Sequence, residues 1–276
     1  MLMAMGLKKG DCPERWTLTN AEKVKELHSA YVQAGARMIL TNSFGANRFK
    51  LKKYDLQDQL YQLNCQAASN AKEAAGGKAF VAASVGPTGE LLKPLGPVEE
   101  AEAIDAFKEQ IVAVADGGAD LILLETMTDL KEATLAIRAA KENTDLPVFC
   151  TFTYNLTKVG FRTIMGVDPD KAVKASLEAG ADVIGANCGE GMEQMIPLVK
   201  EIRRSFDGYI LVHANAGMPR LVEGETVYDE TPEKMAELVA EILDAGVNIV
   251  GGCCGTTPEH TAAMAKAIGE WKDKNK

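Results

Sequence analysis

The sequence predicts an α/β protein of the (β/α)8 TIM-barrel type in which the first strand is lacking. Short apolar runs alternate with helical segments along the whole chain, the order that produces parallel strands joined by helical crossovers. The phrase Ala-Gly-Ala, or a close variant, recurs just before strands, which favours a barrel of similar units. The length of 276 residues suits a single domain over 1–276, because such barrels commonly contain about 250 residues.

Seven strands and the helices between them are predicted in order. The first helix, over 19–34, has apolar residues at helical spacing and ends at Gly35. The later helices are expected over 54–75, 98–116, 129–142, 168–179, 191–206, 231–245 and 258–271. The apolar runs that predict strands are 38–42, 79–84, 121–125, 148–153, 182–186, 209–214 and 247–250. An eighth strand has to precede residue 19, where residues 1–6 are too short and too weakly patterned to form it.

Composition excludes several classes of function. The net charge is −9 and no cluster of Lys and Arg stands out, which argues against binding to nucleic acid. We find no run of 18 apolar residues and no signal-peptide pattern in residues 1–10, so we expect a cytoplasmic protein without membrane contact. Six cysteines, two of them adjacent, do not resemble a secreted disulfide framework. Reduced, metal-binding or catalytic cysteines are expected instead.

Three cysteines follow predicted strands directly. Cys253 and Cys254 lie within Gly-Gly-Cys-Cys-Gly after strand 247–250, and Cys188 follows strand 182–186. Because the carboxyl ends of parallel strands meet at one rim, and the glycines relax the backbone, the three thiols are expected to converge. Thiolates are soft ligands that suit zinc, and three protein ligands with one open position are the usual layout of a catalytic zinc site, so we predict that they bind Zn2+. The alternative is that they are small core residues, as free cysteines often are. The remaining cysteines are assigned structural roles: Cys12, Cys65 and Cys150.

A carboxylate is predicted at the same rim. Glu125 ends the apolar run 121–124, and a buried charge needs a partner. That partner is either a cationic group on a ligand or an arginine of the chain. The histidines, by contrast, are weak candidates. His28 and His260 have no ligand-like partner at a helical spacing, and His213, in strand 209–214, is expected to be a core residue.

With these residues in view, almost the whole chain resembles the homocysteine S-methyltransferase family. These zinc-dependent thiol methyltransferases include betaine-homocysteine methyltransferase and the homocysteine-binding module of cobalamin-dependent methionine synthase. The segments that carry the resemblance are 10–14, 41–47, 84–89, 125–127, 185–189, 215–219 and 251–255. The Gly-Gly-Cys-Cys-Gly of 251–255 is highly specific. Segments 44–48 and 166–169 are closer to the methionine synthase branch than to the betaine branch.

The resemblance implies a zinc ion held by three cysteine thiolates. Their matching positions are Cys188, Cys253 and Cys254, and the homocysteine thiol takes the open position. Glu125 matches the carboxylate that receives the amino group of homocysteine. The other matches are Ser84 and Gly86, in a segment that lines the amino-acid pocket, and Asn215, beside the metal. Family members begin with a strand that ends in Asp-Gly-Ala-Met-Gly-Thr, and Met1 aligns just after it.

The expected activity is transfer of a methyl group to homocysteine to give methionine. The chain has no Asp-x-His-x-x-Gly cobalamin signature, so a methyl-corrinoid protein on a separate chain is the expected donor. S-methylmethionine, S-adenosylmethionine and betaine are the alternative donors, and another thiol is the alternative acceptor. A second hypothesis is a degenerate, non-catalytic barrel that binds zinc or thiols and acts as an assembly subunit. A Schiff-base aldolase is disfavoured because no predicted strand ends in Lys.

Overall fold

Eleven strands occur in the computed structural model, which describes residues 1–189, 191–222 and 225–275. The strands are β1 Met38–Leu40, β2 Phe80–Val85, β3 Leu121–Met127, β4 Val148–Phe152, β5 Asn155–Thr157, β6 Gly160–Arg162, β7 Val183–Cys188, β8 Tyr209–Ala214, β9 Arg220–Val222, β10 Glu225–Val227 and β11 Ile249–Gly252. Seven of them form one parallel sheet in the order β1-β2-β3-β4-β7-β8-β11, and the other four form two antiparallel hairpins.

The strands of the sheet are joined by helices. These are α1 Trp16–Thr19, α2 Ala21–Gln33, α3 Arg48–Lys52, α4 Leu60–Ala75, α5 Glu100–Asp116, α6 Leu130–Asn143, α7 Pro169–Ala179, α8 Met192–Arg203, α9 Pro232–Glu237, α10 Val239–Asp244 and α11 Pro258–Lys274. Side-chain caps fix several helix starts, since Asp129 accepts from Glu132 N and Asp168 accepts from Lys171 N. No described helix combines the length and the apolarity that a membrane crossing requires.

The parallel sheet has two free edges, β1 and β11. Each is hydrogen-bonded on one side only, and within the described residues the two do not pair with each other. Residues 3–5 form a 3-10 turn rather than a strand. The prediction of a TIM-type fold that lacks the first strand is therefore confirmed, and the missing strand maps to the position between β11 and β1.

The helices close the ring that the strands leave open. Helices α2 and α11 flank the gap and pack against each other. The Tyr31 hydroxyl donates to the Thr256 carbonyl at 3.0 Å, and a Cβ on Gly35 would lie only 3.2 Å from the Cβ of Ala265. Gly35 also has a φ of +99°, which other residues rarely adopt. The outer layer of helices is thus continuous across the gap, and the carboxyl ends of the parallel strands form one rim.

The main core lies between the sheet and the helices. Phe107, Ile111 and Ile137 on the helices and Ile122 and Leu124 on β3 are fully buried there. Each such side chain contributes roughly 1.5–3 kcal/mol relative to an exposed position. Strands covered on both faces explain why the sequence shows continuous apolar runs.

Several element boundaries differ from the predictions. The predicted helix 231–245 is interrupted at Leu238, the helix 19–34 is divided at Asn20, and the helix 54–75 begins at Leu60 after a separate 3-10 turn. The hairpins β5–β6 and β9–β10 were not predicted. All residues of β5 and β9 are exposed, so no alternation of apolar and polar residues reveals them.

Candidate active site

Three sulfur atoms meet at the carboxyl-terminal rim of the sheet. Cys188 is the last residue of β7, and Cys253 and Cys254 directly follow β11. Their three sulfur atoms all lie within 4.8 Å of one another, and the Cys188 and Cys253 sulfurs are 3.1 Å apart. Across the part of the chain that the structure describes, this is the one cluster of three or more His, Cys, Asp or Glu side chains with such convergence.

The backbone around the cysteines explains why they meet. Strands β7 and β11 both pair with β8, and the φ of +62° at Cys188 is a left-handed conformation that is rare for a residue other than glycine. Asn215, one residue past β8, joins the two loops. Its Nδ2 donates to the Gly189 carbonyl at 2.7 Å, and its Oδ1 accepts from Cys254 N at 3.1 Å. Asn215 therefore fixes the distance between the loops that carry the cysteines.

The three thiols differ in pKa because they lie close together and share hydrogen bonds and charge. Hydrogen bonds from Cys188 and Cys253 lower the pKa of Cys254 to about 3. For Cys188, the hydrogen bond with Cys253 lowers the pKa, but the bond to Cys254, burial and nearby negative charge raise it to about 12. Hydrogen bonds to the other two sulfurs, together with burial, raise the pKa of Cys253 far above its usual range. Because like charges this close together repel, three thiolates here require a compensating cation.

The donor set fits a soft divalent cation. In a tetrahedral site with zinc–sulfur bonds of ~2.3 Å, neighbouring sulfurs lie about 3.8 Å apart. The sulfurs in this cluster are separated by 3.1 Å to at most 4.8 Å, which brackets that value. Cys188 and Cys253 are half-buried and Cys254 is exposed, so the cluster is accessible from the rim. The three cysteines can thus supply three ligands and leave the outer position open.

A buried carboxylate stands beside the thiols. Glu125 lies near the end of β3 and is only 5% exposed, and the Ser84 hydroxyl of β2 donates to its Oε1. Burial raises the pKa of Glu125 to about 7, the hydrogen bond from Ser84 opposes this, and the negative charge of Cys254 adds to it. None of the ion pairs among the described residues involves Glu125. The alternative of an arginine partner therefore finds no support.

The loop after Ser84 packs under an aromatic ring. Gly86 N donates to the Phe44 carbonyl at 3.0 Å, and a Cβ at position 86 would lie 2.5 Å from the Phe44 ring. The Lys50 ammonium in turn lies 4.5 Å from the centre of that ring. Gly86 is therefore needed for close packing of Phe44 beside Ser84, a role that the sequence analysis did not assign.

A family model described as homocysteine S-methyltransferase matches residues 3–268. The chain belongs to the homocysteine S-methyltransferase family. It is accordingly an S-methyltransferase, in agreement with the sequence prediction.

Solved structures agree on the fold of this chain. The metallated form of homocysteine methyltransferase MmuM from Escherichia coli is 21% identical, with a TM-score of 0.80 over 96% of this chain and 92% of that chain. Its apo form gives a TM-score of 0.75 at 21% identity over 96% and 91%. Dihydrodipicolinate synthase from Aquifex aeolicus is 13% identical, with a TM-score of 0.51 over 92% and 71%. At these identities the likeness establishes the barrel-type fold alone.

The three histidines of the chain do not join the thiols. Burial lowers the pKa of His28 and of His213 to about 4, and one ring nitrogen of each has no hydrogen-bond partner in the described part of the chain. The His260 Nδ1 accepts from Thr257 N at 3.2 Å, and its Nε2 lies 2.9 Å from the Glu230 carbonyl. His260 thus helps to hold the start of α11 beside the cysteine loop.

Two polar residues near the thiols were not predicted from the sequence. Asn187 is fully buried next to Cys188 and contacts both β3 and the thiols. Tyr228 follows the second hairpin, and its ring lies against Gly255, where an added Cβ would come within 2.3 Å of it. Asn187 could have been found from the sequence, because it lies one residue before a cysteine at a strand end. No sequence signal marks Tyr228, because the hairpin that precedes it has no recognisable pattern.

Proposed function

We propose that the chain, acting as one domain over 1–276, transfers a methyl group to the thiol of homocysteine and yields methionine. We assign Zn2+ as the metal and Cys188, Cys253 and Cys254 as its ligands. The observation that carries this proposal is the convergence of three thiols beside Glu125, a buried carboxylate without an ion-pair partner among the described residues. One end of homocysteine is a thiol and the other carries an ammonium group, which matches this pair of features.

When bound, zinc supplies the positive charge that keeps a thiol deprotonated at neutral pH. The chain's own groups do the rest. Glu125 accepts a hydrogen bond from the substrate ammonium, whose charge favours the ionised carboxylate. The Ser84 hydroxyl donates to Oε1 of Glu125, so Oε2 is left to accept the hydrogen bond from the substrate. Glycine at position 86 lets the Phe44 ring pack against the backbone that follows Ser84.

The methyl donor must approach from the open rim. The substrate sulfur forms a bond to the methyl carbon while the donor keeps the electron pair of the bond that breaks. We propose a methyl-corrinoid protein on a separate chain as the donor, supported by the similarity of segments 44–48 and 166–169 to the methionine synthase branch. S-methylmethionine, S-adenosylmethionine and betaine are the competing donors. Reduced thiols of this kind also support a cytoplasmic location.

The decisive experiment combines zinc content with product formation. The reduced wild-type protein should contain one zinc per chain and release a proton when homocysteine binds. Incubation with homocysteine and methylcobalamin should then yield methionine, with S-methylmethionine, S-adenosylmethionine and betaine compared in parallel. A chain that binds no zinc contradicts the proposal.

The gap between β1 and β11 favours a second candidate, a barrel that binds metal without catalysis. Stoichiometric zinc, without methionine from any of the four donors, would support this assembly-subunit function. Methionine formation from any one of them would exclude it.

A further inference from the structure

Strand β3 is irregular at the point where it reaches the site. Residues of an extended strand point alternately to its two faces. Ile122 and Leu124 accordingly lie in the main core between the sheet and the helices. Leu121 and Leu123 pack in a cluster of strand residues on the opposite face, inside the barrel. This alternation would place Met127 inside as well, but Met127 lies in the main core, and the pairing of β3 with β4 shifts register just before it.

The register shift is a β-bulge that contains Glu125 and Thr126. The φ of Thr126 is +64°, a left-handed conformation that is unfavourable for a β-branched residue. Bulges are frequent next to active sites, where they change the direction of a side chain. An unfavourable conformation at such a place persists only where the surrounding structure holds it.

The Asn187 amide holds Thr126 at two points. Asn187 Oδ1 accepts from Thr126 N at 2.7 Å, and Asn187 Nδ2 donates to Thr126 Oγ1 at 2.8 Å. Thr151 Oγ1 also donates to Oδ1 at 2.7 Å, which fixes the orientation of the amide. Thr151 and Asn187 alternate with main-core residues of β4 and β7, so both face the inside of the barrel. Thr126 therefore faces inside too, next to Glu125.

The bulge determines where the Glu125 carboxylate lies, because Glu125 directly precedes Thr126. Among the described residues, this carboxylate accepts one hydrogen bond, from the Ser84 hydroxyl to Oε1. One contact fixes the distance to Ser84 but not the direction of Oε2. That direction depends on the backbone of the bulge, and hence on the contacts between Thr126 and Asn187.

We propose that Thr126 is a positioning residue that makes the site select thiols that also carry an ammonium group. The inference rests on the proposed function, in which Glu125 accepts a hydrogen bond from the ammonium group of homocysteine. Thr126, held by Asn187, keeps the Glu125 carboxylate at a fixed distance from the thiols, since Asn187 directly precedes Cys188. A thiol without an ammonium group gains nothing from this arrangement.

Two ligands that differ only in the ammonium group test this role: homocysteine and 4-mercaptobutyrate. The reduced, zinc-loaded protein is titrated with each ligand by isothermal calorimetry, and its zinc content is measured beforehand. Wild type should bind homocysteine roughly 10–100-fold more tightly, the scale of one hydrogen bond to a charged group. Because both ligands present the same thiol and the same carboxylate, the ratio of their dissociation constants reports the contact with Glu125.

Three substitutions of Thr126 separate its hydroxyl from its shape. Thr126→Val keeps the shape but loses Oγ1, so the ratio should fall about tenfold through weaker binding of homocysteine, with the affinity for 4-mercaptobutyrate unchanged. Thr126→Ser keeps Oγ1 and should retain the wild-type ratio. Thr126→Gly also loses Oγ1 but adopts a φ of +64° without strain, so it decides the test if Thr126→Val does not fold. Thr134→Val, on α6, is the matched control and should behave as wild type.

The outcomes separate this inference from the proposed function. A wild type that binds zinc and prefers homocysteine, together with an unchanged ratio in the variants that lack Oγ1, overturns the inference alone. Equal weakening of both ligands also overturns it, because this indicates general loosening of the site. A wild type that binds no zinc, or that does not prefer homocysteine, overturns both proposals.

Discussion

The two halves of the site are built differently. The carboxylate half, Ser84 and Glu125, lies on β2 and β3, inside the sheet, where both side chains are buried. The thiol half lies on β7 and at the free edge β11, where Cys254 is exposed. A buried carboxylate with no ion-pair partner among the described residues is suited to one fixed contact with a substrate, whereas half-buried and exposed thiols are accessible to a metal, a substrate and a donor. Under the proposed function, the closed part of the rim binds the amino group of the substrate and the open part carries the reaction.

The largest effect is expected in the thiol half. Cys253→Ser removes the central thiol of the cluster, so zinc should be lost and methionine formation should fall by more than about 100-fold, the upper range for residues that merely support metal ligands. Zinc analysis and a methionine assay measure both. Cys65→Ser, on α4, is the matched control and should keep both properties. Retention of zinc in Cys253→Ser contradicts the ligand assignment.

The carboxylate half should respond next. Glu125→Gln keeps the shape but loses the charge, and a hydrogen bond to a charged group is worth roughly 1.5–3 kcal/mol, so KM for homocysteine should rise about 10–100-fold. Zinc content should stay at the wild-type level, which distinguishes the two halves. Glu270→Gln, on α11, serves as the control. An unchanged KM would show that the amino group binds elsewhere.

The same substitution should stabilise the fold at high pH. Because the pKa of Glu125 is raised from 4.5 to about 7, the folded chain holds this proton more tightly than the unfolded chain. At about 1.4 kcal/mol per pH unit, wild type should lose up to about 3 kcal/mol of unfolding free energy as the pH rises from 4.5 through 7. Urea unfolding should give equal stabilities for metal-free wild type and Glu125→Gln at pH 4.5 and a more stable variant at pH 8. The opposite sign would contradict the burial argument.

A smaller effect is expected from the residue that joins the cysteine loops. Asn215→Ala removes the contacts to Gly189 and Cys254 N, so the zinc dissociation constant should rise roughly tenfold, the lower range for residues behind a metal site. A chelator competition assay measures this constant, with Asn143→Ala as the control. KM for homocysteine should change less in Asn215→Ala than in Glu125→Gln. A larger change of KM in Asn215→Ala would contradict the separate roles of the carboxylate half and the thiol half.

The smallest effect should come from Ser84→Ala. Losing this hydrogen bond raises the pKa of Glu125 further above 7, so homocysteine binding should require a higher pH than in wild type. Near pH 7 the KM should rise only about fivefold, which corresponds to about 1 kcal/mol for one hydrogen bond. A pH profile of KM measures both, and an identical profile would exclude a role for Ser84 in tuning the carboxylate.

The sequence predicted the site best at positions where a residue type has few physical roles. Three features of the sequence mark strand ends: the Gly-Gly-Cys-Cys-Gly segment, the cysteine after Asn187 and the carboxylate that ends an apolar run. Strand–helix alternation then predicts that such ends share one rim. The two hairpins were not predicted, because exposed strands such as β9 have no buried face that would require apolar and polar residues to alternate.

The sequence by itself determined the parallel α/β order, the gap in the strand count and the residue types of the site, because burial and strand alternation leave local patterns. Only the tertiary structure decided how those residues interact. Asn187 meets Thr126 across 61 positions of the chain, and Tyr31 meets Thr256 across 225, contacts for which no local pattern exists. The pKa of Glu125 likewise depends on the burial and charge that neighbouring strands create. Desolvation and hydrogen bonding between distant segments are properties of the folded chain.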